Sequence, residues 1–277
     1  MIDIDQLIDS AGKLEPLPQT VTRLVALLAQ DEVTVMEIEE VFSMDGPLTA
    51  RLLRQANSAS SSSRAAIGTV SAAVVRLGLG SVLALAVAAS TQKRLSLAVP
   101  QFGLGDGALW KHSQAARLAV DALRQHAKLK IPVEAPTAAL LHDVGKVVME
   151  HYLQENVMDV LRRAVGEGVP LNIEAEREVL HVHHGELGGL IAQRWGLPEI
   201  IARGIIYHHD PEHCTHADNR ICHIVCLANW IAKKAEQKAG GEACAKPLPE
   251  SAAVLGLNES HIEQVMDSVA ENFASLG

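Results

Sequence analysis

The sequence predicts an all-α protein, and three observations support this. Apolar residues make up 48% of the chain but aromatic residues only 3%, a composition that suits packed helices better than a β-sandwich. Apolar positions recur at helical spacing along most of the chain, as in Val21, Leu24, Val25 and Leu28. No segment shows the sustained alternation typical of a half-buried strand. At 277 residues, the chain can form one large domain or two small ones.

The first part of the chain is predicted to form short helices separated by clear punctuation. A helix covers about 19–30, Thr34 and Glu37 form a capping box that opens the second, and Pro47 opens the third. The serine-rich stretch 58–63 is expected to be a flexible loop. Gly78 and Gly80 separate a short helix from an apolar one, and Gly103, Gly105 and Gly107 mark a break near 100–107. We therefore predict an N-terminal helical subdomain over 1–104 and a second unit over 105–277.

The second unit is also predicted to be helical. One helix runs from Trp110 to about Gln125, and another follows Pro136 and continues through Leu140, His142 and Val147. The segment 240–249 is expected to be a loop. Further helices are predicted over 151–167, 173–181, 184–195, 198–208, 217–238 and 258–274.

Composition argues against several classes of function. The net charge is −9 and no long basic run exists, so direct binding to nucleic acid is disfavoured. The N-terminal MIDIDQLIDSAG lacks the features of a signal peptide. The most apolar stretch, 77–89, is shorter than the roughly 20 residues that span a bilayer. We expect a cytoplasmic protein without membrane contact, with reduced thiols at Cys214, Cys222, Cys226 and Cys244.

Histidine and aspartate side chains carry the chemical signal in this sequence. His142 and Asp143 are adjacent in LLHDVGK, and nitrogen and oxygen ligands suit divalent Fe, Mn, Zn or Ni, which the sequence does not distinguish. A buried His and Asp without partners would cost several kcal/mol, which favours a metal or a tight hydrogen-bonded network. Lys146 follows one turn after His142, where it could meet a phosphate oxygen, and Gly145 allows close backbone approach.

Further histidines follow at positions where successive helices could present them. In chain order these are a lone His, the His-Asp pair, another His and a His-His pair, which supply enough ligands for one metal or a bridged pair: His112, His142, Asp143, His184, His208 and His209. A hydrogen-bonded polar core made of the same residues is the structural alternative. The remaining histidines are expected to lie at the surface or behind the ligands, namely His126, His151, His181, His183, His213, His216, His223 and His261.

Several motifs together resemble a known family. LLHDVGK with the upstream LWKHS resembles the HD superfamily of metal-dependent phosphohydrolases. The match becomes more specific with LEPLPQTVTRLVALL, FSMDGPLTARLLRQANSAS, GTVSAAVVRLGLGSV and HHGELGGLIAQRWGLPEIIARGIIYHH, which are similar to the HD-related output domain (HDOD) family. The resemblance covers roughly residues 14–235, with the motifs in the family's order.

This resemblance implies an HD-domain-like helical core behind an N-terminal helical subdomain, and a role in bacterial signal transduction. It maps the family's metal ligands onto His112, His142 and Asp143, and the extra ligands of two-metal members onto His184, His208 and His209. The family's distal aspartate falls near Asn229, whose uncharged amide would be a weak ligand. The cyclic di-GMP hydrolases of the HD-GYP class are also similar, but their G-Y-P segment is missing after His209.

Two functions remain open at the level of sequence. The first is a regulatory module that binds metal, with signalling proteins or a nucleotide or phosphoester ligand as partners and little or no turnover. The second is a metal-dependent phosphohydrolase acting on a nucleotide or other phosphoester, with cyclic di-GMP a less favoured substrate. In that enzyme Asp143 would orient the nucleophile and Lys146 would offset charge on the phosphate. The oligomeric state is not indicated.

Overall fold

The structure is a computed structural model that describes residues 14–28, 30, 32–58, 66–127, 129–152, 172–238 and 248–273. Helices form the secondary structure of these residues, and the sole β element among them is an isolated bridge between Val99 and Leu104. The predicted all-α fold is confirmed. Three predictions lie largely or wholly outside the described residues: the loop 58–63, the helix 151–167 beyond Tyr152, and the loop 240–249.

The described residues of the N-terminal part contain five helices: α1 (Gln19–Leu28), α2 (Val35–Ser43), α3 (Gly46–Ser58), α4 (Val70–Leu77) and α5 (Leu79–Leu95). The predicted capping box is present, since Thr34 accepts from the amide of Glu37 and the Glu37 carboxylate accepts from the amide of Thr34. Gly78 takes a φ of +77°, and α4 and α5 bend by 109° there, as the predicted break requires.

The connection between the two predicted units is short and ordered. A 3₁₀ turn over Pro100–Phe102 is flanked by the Val99–Leu104 bridge, and the amide of Gly107 donates to the carbonyl of Ser96 at 2.8 Å. Phe102, in this turn, is buried. The break predicted near 100–107 is therefore present, while the division into two domains stays a prediction.

The second part continues with α6 (Ala108–His126), α7 (Ala135–Leu141), α8 (Gly145–Tyr152), α9 (Ile173–Ala175), α10 (His184–Arg194), α11 (Glu199–Ile206), α12 (Arg220–Lys238), α13 (Ser251–Val254) and α14 (Glu259–Phe273). A π-helical turn over Glu176–Leu180 extends α9, and a 3₁₀ turn over Pro211–His213 follows α11.

The predicted continuous helix through His142 and Val147 is wrong. α7 ends at Leu141 and α8 starts at Gly145, with i to i+3 bonds from Val144 to Leu141 and from Lys146 to Asp143 between them. The predicted helix ending at His208 also stops earlier, at Ile206. His142 directly follows α7 and His208 comes two residues after the end of α11, and both side chains are buried.

A single apolar core runs through both parts of the chain. α6 is central to the second part and packs against α7, α12 and α14, while α10 packs against α8 and α11. α5 contacts α1, α3 and α4 on one side and α6 and α7 on the other, so it joins the N-terminal helices to the rest.

Within the described ranges, no single helix is long and apolar enough to cross a membrane. α4 and α5 reach that length and apolarity only when taken together across their bend, and most of α5 is buried among other helices.

Candidate metal centre

Four structural elements bring the predicted ligands to one buried location. His112 projects from α6, His142 and Asp143 from the turn between α7 and α8, and His184 from the first residue of α10. His208 and His209 come from the turn after α11. All six side chains are buried except that of His209, which is partly exposed.

Asp143 divides these side chains into two groups, each with ligand atoms within 4.8 Å of one another. In the first group, the Nε2 atoms of His112 and His142 lie 3.1 Å apart. Both face the Oδ2 atom of Asp143, at 3.6 and 3.4 Å respectively. We call His112, His142 and Asp143 the three-ligand group.

The second group contains Asp143, His184, His208 and His209, and we call it the four-ligand group. The Nε2 of His184 lies 3.4 Å from that of His208 and 3.0 Å from that of His209. Here Asp143 presents its other oxygen, Oδ1, which lies 3.1 Å from the Nε2 of His184. The aspartate thus offers one carboxylate oxygen to each group.

Four of the histidines have their outward nitrogen already engaged. The Nδ1 atoms of His142 and His208 donate to the carbonyls of Ala139 and Ile205, at 2.7 and 2.6 Å. Because a carbonyl only accepts, the proton of each neutral ring sits on Nδ1 and the inward Nε2 is left with a lone pair.

Buried or half-buried carboxylates engage the Nδ1 atoms of the other two rings, those of His112 and His184. The Nδ1 of His112 lies 2.7 Å from Glu236, and the Nδ1 of His184 lies 2.8 Å from Glu176. A carboxylate behind a histidine is the arrangement that orients imidazole ligands in many metal sites.

The pKa shifts of the histidines favour the neutral imidazole form that binds metal. Burial lowers the pKa of His142, and burial with neighbouring histidines lowers the pKa of His208 and His209 much further. Burial also acts to lower the pKa of His184, but its close contacts with the carboxylates of Asp143 and Glu176 raise it. These directions keep most of the imidazoles neutral and available as ligands.

Asp143 is ionised despite its burial. Burial alone would raise its pKa, but the nearby His142 and Lys146 hold the pKa of this carboxyl well below its ordinary value. Lys146 pairs with Oδ2 at 2.6 Å. Oδ1 accepts no aligned hydrogen bond from any described residue.

These residues fit a pair of divalent cations that share Asp143. Two nitrogens each about 2.1 Å from a tetrahedral ion lie about 3.4 Å from each other, close to the 3.0–3.4 Å separations found here. Without a cation or proton between them, lone pairs at these distances repel. Asp143 Oδ1 is buried and accepts no aligned hydrogen bond within the described part of the chain, so a cation there would stabilise its negative charge.

Sequence reasoning missed three residues of the site. Glu176 accepts from both the Nδ1 and the backbone amide of His184, and Glu236 contacts His112 from α12. Phe102 packs edge-on to His184, with ring centroids 6.3 Å apart, and the Lys146 ammonium lies 5.5 Å from its ring centre. Single glutamate or phenylalanine residues carry no motif, so nothing in the sequence marked them.

The other predicted site residues lie as follows. Asn229 is buried on α12 and its Oδ1 has no partner among the described residues. His183, expected behind the ligands or at the surface, is buried and caps α10 through its Nδ1. His223 is buried and contacts Ser251, while His181, His213 and His216 are exposed. The contact of Lys146 with a phosphate stays a prediction; in the structure Lys146 pairs with Asp143.

The fold and the site together define a helical protein with a buried histidine–aspartate centre suited to divalent metal. The HDOD domain family model matches residues 14–211, well over half of the chain. The chain belongs to the HDOD family.

Solved structures share the fold. A protein from Shewanella amazonensis named "Putative phosphohydrolase" has a TM-score of 0.70 and 23% identity, with 98% of each chain covered. An HDOD domain protein of unknown function from Geobacter sulfurreducens has a TM-score of 0.68 and 24% identity, covering 99% of this chain and 95% of the other.

Two further relatives are longer than this chain. A "Putative signal transduction protein" from Marinobacter aquaeolei has a TM-score of 0.66 and 19% identity, covering 99% of this chain and 64% of the other. An uncharacterized protein from Treponema pallidum is 22% identical over 269 residues, which is 96% of this chain and 50% of that protein. The chain thus spans about half the length of this curated relative.

Proposed function

We propose that this chain is a bacterial, cytoplasmic signal-transduction module whose histidine–aspartate centre binds divalent metal, with little or no turnover. One observation carries the proposal: four Nε2 lone pairs and both oxygens of a charged Asp143 converge in a buried space, with the Nδ1 protons held elsewhere. A polar core made for stability alone would satisfy these atoms with one another. Here Asp143 Oδ1 accepts no aligned hydrogen bond from the described residues, and its near contact is the Nε2 of the candidate ligand His184 at 3.1 Å.

Two features favour regulation over turnover. Asn229, the position that resembles the family's distal aspartate, brings a neutral amide. Lys146 is paired with Asp143 at 2.6 Å, so it would have to give up this ion pair to meet a phosphate. A solved relative is named as a signal transduction protein, which agrees with this role. The partners would be signalling proteins or a nucleotide or phosphoester ligand.

A metal-dependent phosphohydrolase is the second candidate, and the shared Asp143 is what favours it. Two ions joined by one carboxylate can stabilise both the attacking and the leaving oxygen of a phosphoester. Asp143 would hold the ions and orient the nucleophile, and Lys146 would meet the phosphate after leaving Asp143. Another solved relative is named "Putative metal-dependent phosphohydrolase".

Elemental mass spectrometry of the purified protein tests the proposal, beside a His142→Ala, Asp143→Ala double variant. We expect one or two equivalents of Fe, Mn, Zn or Ni in the wild type and a loss of most of that metal in the variant, because Asp143 serves both groups and His142 serves the three-ligand group. His126→Ala is a suitable control, because this histidine is an exposed residue at the end of α6.

Three outcomes separate the candidates. Metal that is present and lost in the double variant, with no hydrolysis of nucleotide or phosphodiester substrates, supports the regulatory module. Hydrolysis that disappears with the metal establishes the enzyme. Protein that stays free of metal after reconstitution, with a variant that behaves like the wild type, overturns both and leaves a polar core.

A further inference from the structure

The two oxygens of Asp143 are in different situations. Oδ2, which faces the three-ligand group, is paired with the Lys146 ammonium at 2.6 Å. Oδ1, which faces the four-ligand group, has no aligned hydrogen bond from the described residues. A cation entering the four-ligand group meets a carboxylate oxygen whose near contact, at 3.1 Å, is the Nε2 of His184, itself a candidate ligand. A cation entering the three-ligand group must compete with a lysine that is already there.

The two groups also differ in the ligands they offer. One group has three histidines besides Asp143 and the other has two. Four protein ligands complete a closed tetrahedral site, whereas three leave a position for water or for another ligand. The larger number of ligands therefore also favours tighter metal binding in the four-ligand group, as does the pairing of Oδ2 with Lys146.

The carboxylates that contact the Nδ1 atoms of His184 and His112 also favour the four-ligand group. Glu176 is 1% exposed and holds His184 through both its Nδ1 and its backbone amide. Glu236 makes a single contact with His112, and its side chain is 31% exposed. Solvent screens the partly exposed carboxylate, so His112 is held less firmly than His184.

We infer that the two halves of the centre are unequal. The four-ligand group, with Glu176 hydrogen-bonded to His184, holds a resident divalent ion. The three-ligand group binds a second ion weakly and exchanges it, because Lys146 competes with that ion for Oδ2 of Asp143. Lys146, Glu176 and Glu236 are positioning residues for this difference. The inference rests on the proposed metal-binding function, and it assigns a separate role to each half.

Stepwise metal binding tests the inference. Metal-free full-length protein is titrated with Co²⁺, with visible absorption reporting the ligand field and equilibrium dialysis reporting the stoichiometry. We expect two steps in the wild type with Kd values at least about tenfold apart, since removal of a supporting carboxylate alone changes metal affinity about 10–100-fold.

Three variants assign the steps to the groups. Lys146→Met, with Lys146→Gln as a second variant should the first fail to fold, is expected to tighten the second step about tenfold and to leave the first within about twofold. Glu176→Gln is expected to weaken the first step, and Glu236→Gln the second, each by about 10–100-fold. The matched control is Glu186→Gln, because Glu186 is 48% exposed, contacts no ligand histidine, and keeps its capping role as glutamine.

The outcomes distinguish this inference from the function beneath it. Two ions that bind with equal affinity, or a Lys146→Met variant that changes the first step and spares the second, overturn the inference while metal binding stands. A wild type that takes up no Co²⁺ overturns the proposed function as well. A Glu186→Gln variant whose metal affinity falls as much as that of Glu176→Gln also overturns the inference, since the loss of affinity would then come from the loss of a negative charge alone.

Discussion

The replacement of Gly145 by alanine is a severe test of how the fold places the metal centre. Gly145 opens α8, two residues after Asp143. A Cβ atom built on it would lie 1.9 Å from the carbonyl oxygen of His184 and 2.9 Å from the amide nitrogen of Gly188. Both contacts are with the backbone of α10, which cannot rotate away as a side chain can.

The magnitude follows from two opposing effects. Alanine in place of glycine inside a helix gains about 1 kcal/mol in intrinsic propensity. To bring the Cβ contact to 3.0 Å, α8 and α10 would have to separate by about 1 Å. Overpacking of this kind costs about 1–3 kcal/mol or more. The two effects together leave a net loss of stability of up to about 2 kcal/mol, or a fall in Tm of up to roughly 8 °C.

The effect on the site should exceed the effect on stability. His184 and Asp143 sit on the two backbones that are forced apart, and a displacement of about 1 Å is large for a site that needs its ligands within about 0.5 Å. We expect Gly145→Ala to lose at least tenfold in metal affinity, measured by the same Co²⁺ titration and by thermal denaturation. Gly105→Ala is the matched control, because its Cβ would meet nothing within 4 Å. A Gly145→Ala protein with the Tm and Co²⁺ affinity of that control would refute the reasoning.

Two further predictions concern stability. The metal-free protein is expected to lose stability as the pH falls from about 7 to about 5. Burial lowers the pKa of His142, His208 and His209 in the folded protein. Below the ordinary histidine pKa of about 6.5, these three side chains therefore bind protons in the unfolded chain before they do so in the folded protein, which favours unfolding. A flat profile in thermal melts at constant ionic strength would contradict this. Phe102→Leu is expected to lower the free energy of unfolding, measured by urea denaturation, by about 1 kcal/mol, because the contact between the aromatic ring and Lys146 is lost. The control is Leu97→Ala, at a site 56% exposed, which should change the free energy of unfolding by no more than about 0.5 kcal/mol.

The helical fold could be predicted because helices are encoded locally. The apolar spacing around Val21 and the capping box of Thr34 and Glu37 lie within a few residues of the structure that they determine. The break between α7 and α8 could not be predicted in this way. The apolar pattern continues past Leu141, and the chain turns because Gly145 packs directly on the backbone of His184, about forty residues away.

The candidate ligands were identifiable from the sequence, whereas their supports were not. His142 and Asp143 are adjacent in the chain, so their pairing is visible there. Glu236 lies 124 residues from His112, and it faces that histidine only because α6 and α12 pack together. Asn229 was identified through a family resemblance alone, and its unpartnered Oδ1 is a property that only the packed structure shows.

Lys146 shows why residue types do not by themselves determine the chemistry of this centre. The sequence places a lysine within reach of a phosphate, but the structure pairs it with the oxygen of Asp143 that the three-ligand group needs. Under the unequal arrangement inferred above, an anion that draws Lys146 away from Asp143 also frees Oδ2 for the second ion. Anion and second ion then favour each other's binding, and by linkage the effect is the same in both directions. Such a centre reports the presence of a phosphate-bearing ligand through its metal content, which is a regulatory property that needs no turnover.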